Sequence, residues 1–102
     1  MKEALIRKKA IKELEEKGWL TWFAPKVKFK KTDIFGIIDL LAIKGRQRKQ
    51  IQLTTISNLS TRRKKIVQFL KENKIEMTIE IWAWSKKTKS FKKEKVNHKT
   101  KI

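Results

Sequence analysis

Apolar residues near the start of the chain recur at three- and four-residue spacing. Ile6, Ala10, Ile11 and Leu14 share one face, which predicts a helix over residues 2–17. Gly18 follows in the position that ends helices with a left-handed residue. WLTWF (19–23) is aromatic and β-branched and predicts a short strand, with Pro25 limiting its pairing. KVKFKK then sets Val27 and Phe29 against lysines, the alternation of a half-exposed strand. Ile34 to Ile43 is nearly continuous apolar sequence broken by Gly36 and Asp39, which predicts a buried central strand. Gly45 with RQRK predicts a turn, and IQLTTI (51–56) a hairpin partner. Asn58 and Ser60 supply cap chemistry for a second helix at 61–73, with Ile66, Val67, Phe69 and Leu70 on its apolar face. Residues 75–85 alternate with period two. Met77, Ile79, Ile81 and Ala83 fall on one face, and Thr78, Glu80, Trp82 and Trp84 on the other. A last short strand around Phe91 to Val96 is expected before the chain frays.

The order α-β-β-β-α-β predicts an α/β protein, a mixed sheet with helices on its faces. A length of 102 residues suits one domain. Its expected bounds are 1–85, with 86–102 a lysine-rich extension. Lys and Arg total 28 against 10 acids, a formal charge of +18, while 39% hydrophobic residues suffice for a core. Such an imbalance points to a polyanion, because each cation set against a phosphate releases a condensed counterion. There is no Cys, and the single His, His98, lies in the basic tail. Thiolate zinc sites, a cysteine nucleophile, a Ser-His-Asp triad and a multi-histidine metal site are thereby set aside. No apolar run reaches the ~20 residues of a membrane span, and the N-terminal stretch lacks a signal-peptide core. The expected setting is cytoplasmic, without membrane contact.

The chain has two aspartates, Asp33 and Asp39, both in its most apolar segment. An ionised carboxylate in a buried strand is costly unless it is paired or holds a metal. One hairpin turn sets Gln52 beside Asp39 at one sheet edge, with Thr54 on the same face as Gln52. A carboxylate, an amide oxygen and a hydroxyl or carbonyl form a hard oxygen set suited to Mg²⁺ or Mn²⁺. The alternatives are that Asp39 pairs with a nearby Lys or caps the hairpin. Arg62, Arg63, Lys64 and Lys65 stand where the second helix should start, unfavourably for its dipole, which points to phosphate contact. Arg46, Arg48 and Lys49 at the hairpin tip are placed to track a backbone. The four Trp either stack on bases or pack in the core.

ELEEKGW (13–19), IDLLAI (38–43), the hairpin to IQLTT and the basic helix after it together resemble the PD-(D/E)XK nuclease superfamily. Archaeal Holliday junction resolvases and small phage nucleases are among the members it resembles, and the likeness spans about residues 3–85. It implies a restriction-endonuclease-like core, Mg- or Mn-dependent hydrolysis of DNA, possible action on branched DNA, and a homodimer. The family's metal-binding aspartate falls on Asp39. Its E-x-K motif falls on Gln52, Leu53 and Thr54, so Q-L-T replaces the acid and the lysine. By the resemblance, metal would be held by Asp39, Gln52 and the Leu53 carbonyl, with Asp33 or Glu3 as an extra acid. Lys64 or Lys65 would take over the displaced lysine's role. Two alternatives stand beside the nuclease: a nuclease-fold protein that binds nucleic acid without cutting it, and a small basic RNA-binding protein.

Overall fold

Helix α1 (Glu3–Glu16) is halted by its own C-terminal chemistry. Gly18 adopts φ +86°. Trp19 N–H donates to Leu14 O and Gly18 N–H to Glu15 O, both at 3.0 Å, the paired bonds of a Schellman motif. The Lys44 ammonium donates to Lys17 O at 2.7 Å and adds a cation at the helix's negative end. The computed structural model describes residues 3–23 and 37–101. The strand expected at KVKFKK and the first part of the apolar run from Ile34 lie outside the described residues.

Among the described residues the architecture is α/β, with two helices and a five-stranded mixed sheet. Strands β1 (Leu20–Trp22), β2 (Leu40–Lys44) and β3 (Gln47–Thr55) form an antiparallel meander. A 3-10 turn (Ile56–Asn58) leads into α2 (Leu59–Glu72), which crosses over so that β4 (Ile79–Ser85) lies parallel to β3. Strand β5 (Ser90–Val96) pairs antiparallel with β4 along its whole length, so the sheet continues past residue 85.

Each helix covers one face. Ile6, Ala10 and Leu14 of α1 pack on Leu40, Ala42, Ile51, Leu53, Trp82 and Trp84. Ile66, Val67 and Leu70 of α2 pack on Ile37, Ile38, Ile79, Ile81, Ala83 and Val96. Of the alternation expected over residues 75–85, only the part from Ile79 is strand, and both faces of residues 79–84 are buried because a helix lies on each side. Tryptophans 82 and 84 are therefore core residues, flanking Phe91 at centroid distances of 5.3 and 5.0 Å.

Several boundaries differ from the sequence expectation. The β2–β3 turn is only Gly45 and Arg46, with Gly45 at φ +58°, and Gln47 to Lys49 extend β3 toward solvent. The central strand is β3, not the segment ending at Ile43, because β2 lies between β1 and β3. Helix α2 starts at Leu59 because burying that side chain extends its packing on the core; Asn58 sits at the N-cap without a side-chain capping bond. The helix ends in a second Schellman motif, with Lys74 in the left-handed position at φ 54° and Ile75 N–H donating to Leu70 O at 2.9 Å.

Candidate functional site

Asp39 precedes β2 and is tied to the central strand by its own backbone, its N–H donating to Ile51 O at 2.9 Å. Its carboxylate Oδ2 accepts the Leu53 N–H at 2.8 Å and a bond from the Gln52 Nε2 amide. Gln52 is 2% exposed. It stands beside Ile81 of β4, on the face covered by α2, with Thr54 two residues further along the same face. Asp39 and Gln52 are thus side by side, but at the end of β2 against the central strand rather than at a lateral edge. Leu53 meets the carboxylate through its N–H, not its carbonyl. Among the described residues, two amide donors contribute to offsetting the carboxylate.

Gln52 Oε1 is buried, with no hydrogen-bond partner among the described residues. A buried acceptor left unsatisfied costs about 1–3 kcal/mol, so such an atom in a folded protein invites an explanation in an ordered water, an ion or a ligand. Among the described residues no group of three or more His, Cys, Asp or Glu comes together. Asp33 lies outside the described residues, and so does the Glu3 side chain.

The predicted cations divide by what they touch. Lys64 and Lys65 stand exposed on α2, beside the half-buried Arg62, while Arg46 is exposed in the β2–β3 turn and Arg48 on β3. Arg63 is committed elsewhere. Its Nε and Nη2 make a bidentate pair with Glu94 of β5 at 2.8 and 2.7 Å. The guanidinium's hydrogen bonds hold the Glu94 carboxyl below the usual carboxylate range, and Glu94 raises the Arg63 pKa in turn. Because α2 begins at Leu59, Arg62 is its fourth residue, beyond the first turn to which the dipole argument for phosphate contact applies. Lys49 lies on the α1 face and is bonded to Glu80 at 2.7 Å, with its ammonium 5.2 Å from the Trp19 ring centroid. Glu80 also accepts the Trp82 indole N–H at 3.1 Å. Sequence reasoning misses these pairs, although a signal exists. Acids as rare as these, sitting within predicted strands, must each find a cation or donor.

A cleft of about 650 Å³ opens at the opposite end of the sheet, lined by Trp19, Arg48, Lys49, Met77, Glu80 and Lys95 among others. It does not reach Asp39. Among the described residues no helix is long and apolar enough to cross a membrane. The chain matches no protein-family model, no curated protein and no solved structure.

Proposed function

We propose that this chain is an intracellular, divalent-metal-dependent DNA endonuclease with a restriction-endonuclease-like core. The observation that carries this reading is the buried Gln52 Oε1, without a hydrogen-bond partner among the described residues, on the side chain that contacts the Asp39 carboxylate. Both are hard oxygen donors. Mg²⁺ is commonly bound through only one or two carboxylates, completing its shell with water and substrate phosphate, so this small donor set fits it. Asp39 and Gln52 would hold the ion, which supplies Lewis-acid polarisation of a phosphoryl oxygen and a more acidic bound water.

The chain's own residues do the rest. Asp39 brings the negative charge, and Gln52 brings an oxygen without a second charge. In the metal-free protein the Gln52 amide and the Leu53 N–H each donate to the carboxylate. Lys64 and Lys65 offer positive charge to the scissile phosphate, and the +18 surface attracts the DNA backbone irrespective of sequence. Crossover from β3 to a parallel β4 also supports the reading, since ligands of open α/β sheets gather at the carboxyl ends of parallel strands. Dimerisation rests on the family resemblance alone.

A second reading has its own support. The Gln52 amide donates to Asp39 where the family has a second acid, which suits a nuclease-fold protein that binds without cutting. Branched, single-stranded and duplex DNA incubated with Mg²⁺, Mn²⁺ or EDTA separates the two. Metal-dependent cleavage that disappears in Asp39→Asn is expected. Cleavage unchanged in that variant would overturn the site, and no cleavage by wild type on any substrate would overturn the nuclease reading in favour of the non-cutting binder.

A further inference from the structure

The four tryptophans do not share one fate. Trp82 and Trp84 are core residues, and Trp19 packs half-buried against the α1 cluster. Trp22 is different, being 50% exposed on edge strand β1. Its register partner is Leu41 of β2, which packs toward the α2 cluster, so Trp22 lies on the α2 face of the sheet. On the same face Leu20 and Ile43 oppose each other directly, 73% and 53% exposed. Helix α2 packs on β3, β4 and β5 and leaves these side chains of β1 and β2 accessible to solvent. The row continues onto β3, where Arg48 is opposite Ile43 and Gln50 opposite Leu41. Two residues beyond Gln50 is Gln52, whose amide holds Asp39.

An exposed indole and two aliphatic side chains thus run toward the candidate site, bordered by Arg48 and, at the hairpin turn, by Arg46. We infer that this strip is a platform for the unpaired bases of a single DNA strand, with a base stacked on Trp22 and Arg48 against its phosphates. Charge complementarity selects this occupant. An apolar strip edged by cations in a chain of +18 repels a second copy and attracts a ligand that is polyanionic along its backbone and flat and apolar at its bases. A paired base offers its edges rather than its face, so duplex DNA has little to gain there. The inference rests on the nucleic-acid reading above and names its preferred substrate as a strand with unpaired bases next to the scissile position.

Binding measured in EDTA tests it without any cutting. The full chain, Trp22→Ala and Trp22→Phe are titrated with a mixed-sequence single-stranded oligonucleotide and with a blunt duplex of the same length. Trp22→Ala is expected to lose affinity for the single strand by about tenfold or more, the scale of one stacked base. Its duplex affinity should change less than about twofold. Trp22→Phe should recover most of the loss, and quenching of tryptophan fluorescence by the single strand should be largely absent in both variants. Thermal melts confirm that the variants fold. Equal losses for both DNAs, or none, would overturn the inference. Wild-type self-association in sedimentation that Trp22→Ala abolishes would overturn it too, assigning the strip to a second copy. Failure to cut DNA in Mg²⁺ leaves this binding result untouched, so the two readings fall separately.

Discussion

Replacing Asp39 with Asn removes one charge and almost no volume, so its effect on stability reports what offsets a carboxylate at the end of β2. The described offset is two hydrogen bonds, from Leu53 N–H at 2.8 Å and from the Gln52 amide. A bond to a charged acceptor contributes about 1.5–3 kcal/mol and a neutral one about 0.5–1.5. The Asn carbonyl can still accept, so each bond weakens by about 1 kcal/mol and the pair by about 2. Relief of carboxylate desolvation acts in the other direction, but Asp39 is only half-buried, which keeps that relief small. The metal-free variant should be less stable by about 2 kcal/mol, roughly a 10 °C drop in melting temperature for a domain of this size. Urea and thermal unfolding in EDTA measure it, with an unchanged m-value as the control for compactness. A double-mutant cycle with Gln52→Leu isolates the side-chain bond, and its coupling should exceed the few tenths of a kcal/mol typical of independent sites. A variant as stable as wild type, or more stable, would refute the reasoning, because the carboxylate would then be a net cost that the amides do not offset.

Other consequences can be checked on the same scale. Lys74→Gly should stabilise the protein by about 0.5–1 kcal/mol in urea unfolding, because the left-handed C′ position strains any residue with a Cβ. Glu94→Gln should cost about 1 kcal/mol near neutral pH, modest because the pair is partly exposed. Since Arg63 lowers the Glu94 pKa, that stabilisation is present above the ordinary glutamate value of about 4.3 and is lost as pH falls through the lowered one. The gap between wild type and variant should therefore close in strong acid, and a gap that persists there would contradict it. Changing Arg62, Lys64 and Lys65 to Gln should flatten the salt dependence of DNA binding by about 0.9 in log–log slope for each phosphate no longer neutralised. The same triple change should barely move the melting temperature, whereas Arg63→Gln should lower it.

Elements whose signals are local are legible in the sequence. Gly18 ends α1 because only a residue free at positive φ closes its Schellman motif cheaply. The alternation of residues 79–84 appears because each face of β4 meets a different helix. The adjacency of Asp39 and Gln52 follows from one short hairpin. Other features are hidden for physical reasons. Gln47 to Lys49 look like a turn because the hairpin runs beyond the core, where a strand needs no apolar side chain. Cap residues alone put the start of α2 two residues late, because its first turn is anchored by a buried Leu59 rather than by a cap. Arg63 and Lys49 look like free cations because Glu94 and Glu80, their partners, are distant in sequence. Tryptophans 22 and 84 are the same residue type in similar aromatic stretches. Only the positions of β1 at an edge and β4 between two strands separate them.

The sheet is assembled in chain order, each strand lying beside the strand that precedes it in sequence. Three of its four pairings are antiparallel, and two need long closures: residues 23–39 between β1 and β2, and residues 56–78, which include α2, between β3 and β4. Both closures carry an entropic cost, and the second also requires α2 to form. Its cationic run, Arg62 to Lys65, opposes helix formation by self-repulsion before Glu94 is in place. Ionic strength screens this repulsion and should speed refolding, while under the proposed reading the same salt should weaken binding to DNA. If the proposed reading holds, one helix gives folding rate and DNA affinity opposite salt responses.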